Sequence, residues 1–225
     1  MIKIKELIMS ERIVLDKSKL LDTLDSTSIS LKNKLVFLPF IAHFVMNFGD
    51  FNKYVLPFKA PTNELENLVN IHAAEDAEHW IWYLHDLEKL SYDLPEKFTT
   101  TLKKLWSKEN EENQILFFEL VHLVHNQPAN IRLAIIEAIE ITGHIIFSKL
   151  RDITQHSNYQ LSYCGDIHYH KETGHTIGAE EKIIDQLTFS TYESEIATQS
   201  IKQVFKAFSR WYQYLDFLIC THHRS

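Results

Sequence analysis

The segment IRLAIIEAIEITGHIIFSKL, Ile131 to Leu150, is apolar on almost every side once it is wound into a helix. A helix of that kind needs neighbours all round, which argues for a bundle with this segment at its centre. The same segment carries Glu137, Glu140 and His144. Burying an unpaired carboxylate costs several kcal/mol or forces it neutral, and no basic residue stands between Arg132 and Lys149 to compensate. Partners for these charges must come from elsewhere in the chain.

Apolar residues recur at three- and four-residue spacing over most of the remaining sequence, and no run of alternating residues between tight-turn dipeptides reads as a strand. The fold class expected is therefore all-α, a single domain over residues 1–225 built of seven or eight helices. The spacing predicts helices at 10–25 and at 29–57, the latter bent at Pro39 and Gly49. Asn63 followed by Glu66 predicts a capping box opening a helix over 63–90. Pro95 marks a break, 98–126 carries one long or two short helices, and Pro128 opens the central helix over 128–152. A helix over 158–175 ended by Gly174 and Gly178, a short segment near 179–189 and a last helix over 191–221 complete the reading.

The chain holds 23 basic and 30 acidic residues for a net charge of −7, with the basic residues scattered, so nucleic acid is not an expected partner. The amino terminus has no long apolar core or small-residue cleavage site, and no uninterrupted apolar run approaches the roughly 20 residues of a membrane span. A soluble cytoplasmic protein with no membrane partner is expected. Two cysteines, Cys164 and Cys220, are too few for a disulfide scaffold and form no CxxC pair. Thirteen histidines are the unusual feature of the composition.

Those histidines are patterned. HAAEDAEHW contains His72, Asp76 and His79 in the spacing H-x3-D-x2-H, with Glu75 and Glu78 between them, and HYHKETGH contains His168, Glu172 and His175 as H-x3-E-x2-H. Positions i, i+4 and i+7 of a helix fall within roughly 60° of one another, so each triplet makes one stripe. Glu137, Glu140 and His144 make a third. Imidazole with carboxylate suits iron, manganese or zinc, and helical bundles hold dinuclear iron or manganese with such side chains pointing inward. The plainer alternatives are a solvated face for the first triplet, a polar helix end for the second, and an ion-paired core carboxylate for Glu140. His43, Asn47 and Asp50 repeat the spacing more weakly, and His122 with His125 reads as ordinary core or surface.

A helical chain of this length with a carboxylate and a histidine on one helix, a glutamate on a later central helix and then H-x3-[DE]-x2-H resembles the haem-oxygenase-like dimetal oxidases. That group includes the Chlamydia protein associating with death domains and the alkene-forming fatty-acid decarboxylases. His168, Glu172 and His175 match the third element residue for residue. For the first element Asp76 with His79, Glu75 with His79, or Glu78 with His85 all serve; for the second, Glu137 fits by distance to the third motif and Glu140 by its pairing with His144.

The resemblance implies a haem-oxygenase topology without haem and two metal ions, two Fe ions or Fe with Mn. The ligands would come from among His72, Glu75, Asp76, His79, Glu137, Glu140, His144, His168, Glu172 and His175. It further implies oxidation by dioxygen of a C–H or C–N bond in an amino-acid or fatty-acid derivative, by the chain alone or as a homodimer. Phe44, Phe48, Trp80, Trp82 and Tyr163 are candidates for apolar walls around the site. The rival readings are a thiaminase-like hydrolase on the same fold with Cys164 as nucleophile, a haem-degrading enzyme, and a helical interaction or metal-storage protein.

Overall fold

The computed structural model describes residues 3–93, 95–176 and 187–222, with the backbone alone for 172–176. Every regular element among them is helical. The expected first helix is two, α1 (Ile4–Leu15) and α2 (Lys19–Asp25), parted where Ser18 takes an extended conformation. α1 begins earlier than expected because Ile4, Leu7 and Ile8 are all buried.

The expected bent helix over 29–57 resolves into α3 (Leu31–Lys34), a 3-10 turn at Leu38–Ile41, α4 (Ala42–Asp50) and a π-helical turn at Phe51–Val55. Pro39 explains the break, since it sits in the first turn of the 3-10 segment, where its missing N–H costs nothing. Gly49 does not bend the chain. It lies inside α4, where a Cβ would come within 3.0 Å of Trp80 Cδ1 and 3.3 Å of the Ala77 carbonyl, so its role is close approach. Residues Leu31–Val55 are long and apolar enough to cross a bilayer, but over half of the window, 56%, is buried inside the protein, as for a core segment.

Asn63 caps the next helix as expected, its Oδ1 accepting the Glu66 N–H at 3.0 Å, while the Glu66 carboxylate accepts the Thr62 N–H at 2.6 Å. That helix is not continuous to residue 90. α5 (Glu64–Asp76) ends in a turn at Ala77 and Glu78, and α6 (His79–Lys89) starts afresh. The 98–126 region holds two helices, α7 (Phe98–Leu105) and α8 (Glu111–Val124). α9 (Ala129–Thr154) has Pro128 as its N-cap, and α10 (Asp166–Thr176) begins well after residue 158. The reason is local: the N–H groups of Ser162 and Cys164 are given to the Asp86 carboxylate instead of to helical carbonyls. Gly174 lies within α10, and Gly178 with most of the 179–189 segment lies outside the described residues. α11 (Thr191–His222) closes the chain.

α9 is the centre of the bundle, packed by α11, α10, α5, α2, α1 and α8. Its apolar side chains are buried around most of its circumference, as its sequence requires. Two large polar side chains of this core are matched: the Tyr212 hydroxyl donates to the Thr142 carbonyl at 2.6 Å, and the Trp211 indole N–H donates to Asn113 Oδ1 at 2.9 Å. Asn113 in turn donates to the Phe40 carbonyl at 3.0 Å, tying α8 and α11 to the turn before α4. Asn113→Ala leaves the buried Trp211 N–H without its acceptor and is expected to destabilise the protein by about 1–3 kcal/mol, read from urea unfolding followed by tryptophan fluorescence.

Candidate metal centre

The last turns of α5 place His72 and Asp76 one above the other, with His72 Nε2 3.3 Å from Asp76 Oδ2. From the middle of α9, Glu140 brings Oε1 to 3.5 Å from the same nitrogen. Ligand atoms of the three residues all lie within 4.8 Å of one another, and the residues are only 4%, 3% and 3% exposed. Among the described residues, both Asp76 and Glu140 lie within 4 Å of the His72 imidazole, and Asp76 also of that of His79. Asp76 Oδ1 accepts no hydrogen bond and lies 3.8 Å from His79 Nδ1.

These separations suit a common ion. Bonds of about 2.1 Å at angles of about 90–110° put neighbouring donor atoms about 3.0–3.4 Å apart. One imidazole and two carboxylates form a mixed N/O set of the kind iron, manganese and zinc accept.

Two further histidines border the cluster. His79, at the start of α6, stacks on Trp82 with ring centres 4.5 Å apart and meets His168 edge-on at 4.9 Å. His168, on α10, is buried against Phe147 and Tyr163, and its Nδ1 is 2.9 Å from the Tyr163 carbonyl oxygen. A carbonyl only accepts, so Nδ1 carries the proton and the lone pair of the neutral ring is on Nε2. Glu137 and His144 are buried along α9, one turn to either side of Glu140, and the His144 ring lies 5.5 Å from that of Tyr169.

The structure thus brings together His72, Asp76 and His79 of the first expected stripe, Glu140 of the second and His168 of the third, while Glu137 and His144 are buried on the same helix as Glu140. It separates the carboxylates of the opening stretch. Glu75, expected among the ligands, is exposed, and so are Glu78 and His85; Glu78 pairs instead with Lys53 at 2.8 Å. The turn at Ala77 and Glu78 is the cause, because it ends α5 with only Asp76 facing inward. The side chains of Glu172 and His175 lie outside the described residues. Asn47 donates to the His43 carbonyl and Asp50 is exposed, so that third copy of the spacing adds nothing here.

A cavity of about 60 Å³ opens on the cluster, room for roughly four waters or a short hydrocarbon segment. Asp76, His79, Glu140 and His168 form its polar end, and Phe37, Phe44, Phe48, Ile146, Phe208 and Trp211 are among its apolar walls. Among the described residues no other charged side chain lines it. Of the aromatics expected as walls, Phe44, Phe48, Trp80 and Tyr163 are in place, while Trp82 reaches the site through its stack on His79.

Cys164 is not part of the lining. It is 1% exposed, and burial, with the nearby Asp86 carboxylate, pushes its thiol well above the ordinary range. Both effects disfavour thiolate at neutral pH, so the site has no activated sulfur nucleophile there. One functional-looking residue escaped the sequence reading. Asp86 is wholly buried, and its signal was present: His79, Tyr83 and Asp86 repeat the i, i+4, i+7 spacing on α6.

The chain matches no protein-family model, and no curated protein is similar to it. The residues and their geometry alone bear on function. For Cys164 they make a direct expectation: at pH 8 the native protein is alkylated by iodoacetamide at Cys220 only, and Cys164 reacts after unfolding, as peptide mass spectrometry will show.

Proposed function

We propose that the chain is a non-haem dimetal oxidase or oxygenase of haem-oxygenase-like fold, acting with dioxygen on a small, largely apolar organic substrate. The observation that carries this reading is the meeting of His72, Asp76 and Glu140, all buried, at the polar end of an otherwise apolar cavity. Two irons, or an iron and a manganese, would supply the redox equivalents and open positions for dioxygen activation.

The chain's own residues do the rest. Asp76 and Glu140 offset cationic charge where water cannot, and His72, His79 and His168 offer neutral nitrogen donors around them. Glu137 and His144, buried one turn to either side of Glu140, would be the α9 candidates for holding a second ion. The phenyl and indole walls exclude water from the reactive centre and sort substrates. With cations bound at the polar end, a hydrocarbon chain ending in one carboxylate would place that group beside them, whereas the ammonium group of a free amino acid would be set against like charge. The narrow cavity and the clustered side-chain donors favour ions held directly by the protein over a macrocycle.

Protein reconstituted anaerobically with ferrous iron is expected to hold close to two metals per chain by elemental analysis. Asp76→Ala and Glu140→Ala should each lose at least half of that metal while keeping the helical circular-dichroism spectrum. Full retention by both variants would sink the assignment. Oxygen uptake by the loaded protein should be stimulated by apolar monocarboxylic acids more than by free amino acids, and iron held without uptake on either panel would place the protein among storage or structural metal binders.

A further inference from the structure

Asp86 has no solvent exposure and is not a member of the ligand cluster. It stands two helical turns beyond His79 on the same buried face of α6. Its Oδ1 accepts the Ser162 N–H at 2.6 Å and its Oδ2 accepts the Cys164 N–H at 2.8 Å. The peptide between those two amides belongs to Tyr163, whose carbonyl takes the Nδ1–H of His168 at 2.9 Å.

The rest of this loop is held independently. Thr154 donates from Oγ1 to the Cys164 carbonyl at 2.8 Å, and the His168 backbone N–H donates to the Ser162 carbonyl at 3.2 Å. Gly165 permits the tight return, since a Cβ there would lie 2.0 Å from the Leu161 carbonyl oxygen. Bonds from an ionised carboxylate to backbone amides are roughly twice as strong as neutral ones, and here two of them flank a single residue.

We propose that Asp86 is the positioning residue of His168: by clamping the Ser162 and Cys164 amides it sets the Tyr163 carbonyl that keeps the proton on Nδ1 and leaves Nε2 as the donor atom. Helix α6 then serves the site twice, with His79 at its start and, through the loop, with Asp86 two turns on. The assignment of Nε2 to a metal rests on the dimetal reading; the orientation and tautomer of the ring do not. A carboxylate that only stabilised the loop would change the unfolding temperature and leave the tautomer alone.

The test uses the full chain, metal-free and labelled with nitrogen-15 histidine, at about pH 8, where an ordinary imidazole is neutral. Long-range proton–nitrogen spectra distinguish the two tautomers, and His168→Gln identifies the signal. The wild type is expected to show His168 in the Nδ1–H form. Asp86→Asn sets an amide NH2 against amide donors and should lower the ratio of Nδ1–H to Nε2–H forms at least tenfold. Asp86→Ser, which leaves room for water beside the two amides, carries the same expectation should Asp86→Asn not fold. Thr154→Val weakens the same loop without touching the carboxylate and should leave the ratio unchanged. An unchanged ratio in the Asp86 variants, or an equal fall in Thr154→Val, would overturn the proposal.

Cobalt(II) titration of the same proteins separates the two levels of the reading. The Asp86 variants should bind cobalt ten- to a hundredfold more weakly than the wild type. Undiminished cobalt affinity alongside a shifted tautomer would break the link to metal binding. A wild type that takes up no cobalt would refute the dimetal reading while the tautomer result stood by itself.

Discussion

Glu140 Oε1 and Asp76 Oδ2 lie 3.5 Å and 3.3 Å from one nitrogen of His72, in the middle of a bundle whose central helix is otherwise apolar. Two ionised carboxylates at this depth would repel each other, and an imidazolium or a bound cation would offset that repulsion. The contact joins the last turns of α5 to the middle of α9. The apolar residues to either side, Val69 and Ala73 on α5 with Ala138 and Ile141 on α9, then close the seam around it.

The interruptions of the helices matter as much as the helices. The turn at Ala77 and Glu78 separates His79 from the α5 stripe and sends it to face His168 instead of merely following His72. The contact of Gly49 with Trp80 and the Ala77 carbonyl holds that corner against α4, which also supplies the phenyl groups of the cavity wall. On the other side, a loop held by Asp86 and Thr154 delivers His168 on the first turn of α10. The donors are thus carried on packed helices and on a loop tied at both ends.

Much of this was legible. The circumference of Ile131–Leu150 announced a central helix, and the uncompensated Glu140 within it announced a partner. What spacing could not reveal was which carboxylate of HAAEDAEHW would supply it. Glu75, Asp76 and Glu78 are equivalent in the linear pattern, and only the end of α5 at Asp76 sends Glu75 and Glu78 outward, Glu78 to Lys53. Asp86 shares an i, i+4, i+7 stripe with His79 and Tyr83, but the backbone amides it serves leave no mark in the sequence, so its role was not legible there. Cys164 illustrates the opposite error, since a cysteine four residues before a candidate ligand histidine looks like a nucleophile until its burial beside Asp86 is seen.

The sequence by itself determined the all-helical class, the central helix and the residue types available to bind a cation, because helical periodicity and the cost of buried charge are local properties of the chain. Tertiary structure decided which of those residues meet, where the helices break, how an apolar cavity comes to end on the cluster, and which way the His168 ring faces. Those outcomes depend on contacts between residues far apart in sequence, Asp76 with Glu140 and Asp86 with Cys164, and no local pattern encodes them.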